Sequence, residues 1–158
     1  MIVVMGCGNA ARSDDGVGPE VVRLLSQGAL AGDSRVRLLD AGTDGMAVMF
    51  AARGCASLFV VDAVRAGSAP GAVYEVPGEE LARAREPSLS VHDFRWQDAL
   101  FAGRKMWAAD FPADVTVLLV EAASIDYGMS LSPAVSASAR QVAQRIEGLA
   151  RMRLARAS

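Results

Sequence analysis

Cysteine, histidine and lysine are nearly missing from this chain, which has two, one and one of them among its 158 residues. Cys7 and Cys55 have no C-x-x-C spacing and read as buried thiols of a reducing compartment rather than as a disulfide. No apolar run approaches the roughly 20 residues needed to span a bilayer, and the start, Met1-Ile2-Val3-Val4-Met5-Gly6, has no basic n-region. A cytoplasmic protein with no membrane contact is expected. The basic residues do not cluster except at Arg151, Arg153 and Arg156, and the formal charge is −2, which argues against a nucleic-acid partner. No repeat, low-complexity tract or linker divides the chain, so one domain over 1–158, acting as a monomer, is expected.

Aromatics make up only 6% of the residues while hydrophobic residues make up 52%, and the excess is largely Ala and Val, suited to helices packed closely on a sheet. Short apolar runs alternate with segments of helical period, the pattern of a mostly parallel sheet covered on both faces. Strands are expected near 2–5, 35–40, 57–62, 72–76 and 115–120, and helices near 18–30, 44–54, 93–108 and 133–153. In the last helix Ser132 can cap, Pro133 suits the first turn, and Val135, Ala139, Val142, Ile146 and Leu149 repeat at spacings of four and three. The run 72–76 follows Asp62 too closely for a helical crossover, which makes it an antiparallel edge strand. From Glu79 the chain has helical character until Glu86-Pro87-Ser88-Leu89-Ser90 breaks it, so a mobile surface loop is expected to lead into His92, the only histidine.

Acids stand where three of the strands should stop: Asp14 and Asp15 beyond the first, Asp40 after the second and Asp62 at the end of the third. In open α/β sheets ligands bind outside the carboxyl ends of the strands. Converging carboxylates there suggest a cation site or a hydrolytic site. Asp15, Asp62 and His92 together can occupy one face of a divalent transition ion such as Ni²⁺ or Zn²⁺ and leave exchangeable positions open. Asp40 in Asp40-Ala41-Gly42-Thr43 reads equally as a general base or as the cap of helix 44–54, with Gly42 allowing the bend.

The sequence also carries parts of two other chemistries. Gly6-Cys7-Gly8-Asn9-Ala10-Ala11 has the G-x-G-x-x-A spacing of a dinucleotide fingerprint, but Asp14 and Asp15 would sit close to the phosphates and repel them. Cys7 with His92 supplies the parts of a cysteine hydrolase, yet nothing marks Cys7 as activated.

Met5-Gly6-Cys7-Gly8-Asn9, Ser13-Asp14-Asp15-Gly16-Val17-Gly18, Asp40-Ala41-Gly42-Thr43, Val61-Asp62-Ala63, Ser90-Val91-His92 and Gly128-Met129-Ser130-Leu131-Ser132-Pro133 occur in the order found in hydrogenase maturation endopeptidases, which the chain resembles over nearly its whole length. The resemblance implies a three-layer α/β/α sandwich on a five-stranded mixed, mostly parallel sheet. It implies an endopeptidase that removes the C-terminal extension of a nickel-loaded [NiFe] hydrogenase large-subunit precursor. By the same resemblance Asp15, Asp62 and His92 meet a Ni²⁺ ion supplied by the precursor, and Asp40, Asp15 and Asp62 are the candidate catalytic acids. The chain departs from the family in three places. Asp15 stands where many members carry Glu, one methylene longer, so the metal or backbone must shift by roughly 1 to 1.5 Å. Ala10-Ala11-Arg12 and Arg95-Trp96-Gln97-Asp98 do not follow the family's usual pattern, and they are the expected determinants of which precursor is accepted. Rival readings are a non-catalytic nickel-sensing or maturation-complex binding module and a dinucleotide-binding oxidoreductase.

Overall fold

The computed structural model describes residues 1–82 and 94–156, and within them five strands form one sheet. They are β1 (Ile2–Cys7), β2 (Val36–Gly42), β3 (Ser57–Val64), β4 (Val73–Pro77) and β5 (Asp114–Glu121), in the order β2-β1-β3-β5-β4. Every neighbouring pair is parallel except β4 with β5. The antiparallel edge strand and the three-layer arrangement expected from the sequence are both present.

Two crossovers in opposite directions fix where a site can form. The chain leaves β1 through helix α1 (Val17–Leu25) to β2 on one side, then through helix α2 (Gly45–Ala52) to β3 on the other. Because such crossovers are right-handed, moving opposite ways along the sheet puts the two helices on opposite faces. The strand order therefore reverses at β1, and a crevice opens outside the carboxyl ends of β1 and β3.

Strand side chains alternate between two cores. Ile2, Val4, Phe59 and Val61 pack with α1 and with helix α5 (Pro133–Arg156). Val3, Met5, Leu58 and Val60 pack with α2 and with helix α4 (Trp96–Trp107). Along α5 the buried residues are Val135, Ser138, Ala139, Val142, Ala143, Ile146 and Ala150, a stripe at helical spacing that lies on the sheet.

The observed elements differ from the sequence expectation mainly at their ends. The first helix stops at Leu25 rather than near residue 30. There Ser26 turns its hydroxyl back to the Arg23 carbonyl, and Gln27 and Gly28 bond to carbonyls three residues back. The second helix starts at Gly45 and is capped by Asp44, whose carboxylate accepts the N–H groups of Met46 and Ala47 at 2.9 and 3.1 Å. Asp40 is not that cap. A short helix α3 (Gly78–Ala82) follows β4 directly, where helical character was legible from Glu79. The rest of the expected 79–90 loop lies outside the described residues. No helix among the described residues is long and apolar enough to cross a membrane.

Candidate active site

Glycine allows the end of β1 and the start of α1 to touch through their backbones. A Cβ on Gly18 would stand 2.2 Å from the Cys7 carbonyl oxygen and 2.7 Å from that of Val61, distances no side chain tolerates. Gly8, at φ +118°, sits against the Asp15 carbonyl in the same way, with 1.9 Å to a hypothetical Cβ, so the chain can fold back over itself there. Between this loop and α1 lies a 3-10 turn, Ser13–Gly16. The glycines thus do not open directly into a helix as a dinucleotide fingerprint requires, and two aspartates occupy the intervening turn.

Those adjacent aspartates part company. Asp14 is buried and accepts four hydrogen bonds: from the N–H groups of Ala123, Ser124 and Ser132 at 2.8, 3.3 and 2.6 Å, and from the Ser132 hydroxyl at 3.0 Å. It ties the glycine loop to the segment between β5 and α5. Asp15 turns the other way, accepts the Asn9 N–H at 2.8 Å and lines a cleft of about 410 Å³. Asp62, Cys7, Trp96, Arg12 and Arg95 also line that cleft, at the place the strand order marked.

Asp62 is held at both oxygens. Its Oδ1 accepts the Ala63 N–H at 2.8 Å, and its Oδ2 accepts the indole N–H of Trp96 at 2.7 Å. Burial raises its pKa to about 6; the two hydrogen bonds oppose that rise, and the nearby charge of Asp15 adds to it. Cys7 is buried, and burial, Asp62 and Asp40 all push its thiol pKa upward. A thiol kept protonated in this way is a poor nucleophile, which argues against the cysteine hydrolase reading.

Asp40 does not join this group, because the register of the sheet turns it away. Gly6 pairs with Asp40 on one side and with Val61 on the other, so Asp40 is level with Val61 and shares its face. Asp62 is one residue further along and points to the opposite face. Asp40 accepts the Gly42 N–H at 2.9 Å and lines a separate depression with Pro19 and Glu20. Convergence of strand-end acids holds for Asp15 and Asp62 and fails for Asp40.

His92 lies outside the described residues. Among the described residues no three histidine, cysteine, aspartate or glutamate side chains are grouped as a metal site; the carboxylates lining the described cleft are Asp15, Asp62 and Asp44, and Asp44 is engaged as the cap of α2. Two features of the site escaped the sequence reading. One is the bond from Trp96 to Asp62, although a buried indole N–H needs a partner and that need was a legible signal. The other is the contact between Arg12 and Tyr127: the guanidinium lies 4.4 Å from the centre of the ring and joins the two loops that wall the cleft.

A family model described as hydrogenase maturation protease matches residues 19–149. The hydrogenase 2 maturation protease of Escherichia coli K12 is 31% identical over 137 residues, which cover 86% of this chain and 82% of the relative. The hydrogenase expression/formation protein HupD of Thiocapsa roseopersicina is 31% identical over 136 residues; the match covers 85% of this chain but only 60% of the longer relative. Among solved structures, the hydrogenase maturating endopeptidase HybD from Escherichia coli superposes with a TM-score of 0.79 at 26% identity, covering 96% of this chain and 92% of that one.

Proposed function

The chain belongs to the hydrogenase maturation protease family, and from that premise we propose that it is a cytoplasmic endopeptidase, acting as a monomer, that removes the C-terminal extension of a nickel-loaded [NiFe] hydrogenase large-subunit precursor. Nickel belongs to the substrate and serves as the recognition element. The observation that carries this reading is the pair Asp15 and Asp62 facing one cleft at the switch point of the sheet. Carboxylates suit a divalent ion, and His92 is the third ligand in this proposal. Free buried thiols at Cys7 and Cys55 fit a reducing compartment.

Peptide hydrolysis needs a group that takes a proton from water as its oxygen adds to the carbonyl carbon. It then needs a donor of that proton to the departing nitrogen, so that a carboxylic acid and an amine result. With a pKa of about 6, Asp62 is mostly ionised at neutral pH yet readily protonated, which suits it to both steps. Asp15, on the facing loop, supplies negative charge toward the cation. Asp40, on the other face, is left with holding the turn at the end of β2.

The test is to mix metal-stripped protein with nickel-loaded and nickel-free precursor and follow intact mass. Loss of one C-terminal peptide from the loaded form alone is expected. Equal cutting of both forms would refute recognition through nickel, and binding without any cut would identify a maturation-complex module instead.

A further inference from the structure

Among the described residues Asp62 accepts two hydrogen bonds, one from its own chain neighbour, Ala63, and the other from a different layer of the molecule, the indole of Trp96. The two bonds are not equivalent. The first links residues adjacent in sequence, whereas the second carries information about where α4 lies relative to β3. Trp96 is 4% exposed, and its ring belongs to the core that contains Val3, Met5, Cys7 and Val48. The ring cannot turn without displacing that core, so packing fixes the position and direction of its N–H. That N–H is the first one α4 presents to the cleft side: the helix begins at Trp96, with Asp98 accepting the Arg95 N–H at 3.1 Å.

An ionised carboxylate has about four lone-pair sites. With one donor from the described residues on each oxygen, at most about two sites remain for whatever enters the cleft. Donors on both oxygens also resist rotation of the carboxylate about its bond to Cβ. We propose that Trp96 is a positioning residue for Asp62: its indole N–H sets the carboxylate orientation, and therefore which lone pairs meet the precursor's nickel and scissile peptide. This rests on the reading of the cleft as the processing site. The sequence places Trp96 in a stretch that departs from the family's usual pattern. Groups that orient metal-binding side chains are worth about 10–100-fold when removed, and a misdirected carboxylate affects the transition state more than the docking of a protein substrate.

The decisive experiment removes the donor without removing the ring. The chain has two tryptophans, and Trp107, stacked with Phe111 away from the cleft, can be changed first. In the Trp107→Phe chain, benzothienylalanine, in which sulfur replaces the indole N–H, is incorporated at position 96. Processing of nickel-loaded precursor is expected to lose about tenfold in kcat with KM within about twofold. 5-Fluorotryptophan, which keeps the N–H, should restore the rate. Equal rates with and without the N–H would overturn the proposal.

A second readout needs no precursor. In the proton–nitrogen spectrum of the same Trp107→Phe chain the single indole resonance is expected to move upfield when Asp62→Asn replaces a charged acceptor by a neutral one. An unmoved resonance would show that Trp96 does not hold Asp62. If that resonance moves while the unaltered chain fails to cut any precursor, the proposed function fails and the pairing of Trp96 with Asp62 stands.

Discussion

Asp14 and Ser132 are joined twice, by the serine N–H at 2.6 Å and by its hydroxyl at 3.0 Å. The link runs from the turn before α1 to the residue before α5, and it sets one wall of the cleft. Ser132 also faces the Val135 N–H at 3.5 Å through the same hydroxyl, so the cap of the last helix and the glycine loop share one serine.

Replacing Asp14 by Ala should therefore act on stability. Three backbone N–H groups and a hydroxyl lose their acceptor in a buried place, which costs about 2–4 kcal/mol. A fall in the urea midpoint with an unchanged slope is expected. A midpoint within error of the unaltered protein would show that water replaces the carboxylate without cost.

Asp15 should behave oppositely to its neighbour. Asp15→Asn keeps the size but removes the charge facing the cleft, and processing should fall at least about tenfold, while Asp15→Glu retains more activity than Asn. Melting temperatures of both should change little, since the side chain is only half-buried and, among the described residues, accepts one bond, from Asn9. Wild-type activity of Asp15→Asn would leave the residue with a loop-shaping role alone.

Asp62→Asn should abolish most processing and yet stabilise the protein near pH 8. Burial raises the folded-state pKa from 3.8 to about 6. Protonation therefore favours the fold: this contribution is present below the unfolded pKa and is lost as pH rises through about 6. At pH 8 the ionised carboxylate weakens the fold by up to about 3 kcal/mol. An amide avoids that cost but sacrifices the bond from Ala63, worth about 1 kcal/mol. The stability difference between variant and wild type should shrink or reverse by pH 3. A difference independent of pH would contradict the raised pKa.

The same group should shape the rate profile. If ionised Asp62 is the form that takes the proton, kcat/KM falls tenfold per pH unit below about pH 6 in the free enzyme. An acid limb near pH 4 would assign the proton transfer to a carboxylate of ordinary pKa.

Gly18→Ala should be far more damaging than an ordinary helix substitution, which would gain slightly in propensity. Its Cβ would meet backbone oxygens at 2.2 and 2.7 Å, and the end of β1 would have to part from α1. Loss of soluble expression, or a fall in melting temperature of more than about 4 °C from a cost above about 2 kcal/mol, is expected. A stable, active Gly18→Ala protein would mean that the two backbones are not in contact.

Much of the architecture was local information. Apolar runs of strand length at β1, β3 and β5, a helical stripe from Val135 to Leu149, and a connection too short for a crossover before β4 give the layers and the antiparallel edge. These signals suffice because each depends on residues close together in sequence. Asp62 was legible for the same reason, as the acid that ends an unbroken apolar run. What the sequence could not divide was the acids themselves. Asp14 and Asp15 are neighbours with the same chemistry, and only the approach of the segment 123–132 to Asp14 makes one a buried anchor and the other a wall of the cleft. Asp40 and Asp62 both end strands, but the pairing of Gly6 with Asp40 and Val61 offsets them by one residue and sends them to opposite faces. The bond from Trp96 to Asp62 spans 34 positions, and it exists because α4 packs on β1 and β3. Periodicity determines which residues form a face, whereas register and long-range packing determine which faces meet, and the candidate site is made of the second kind of information.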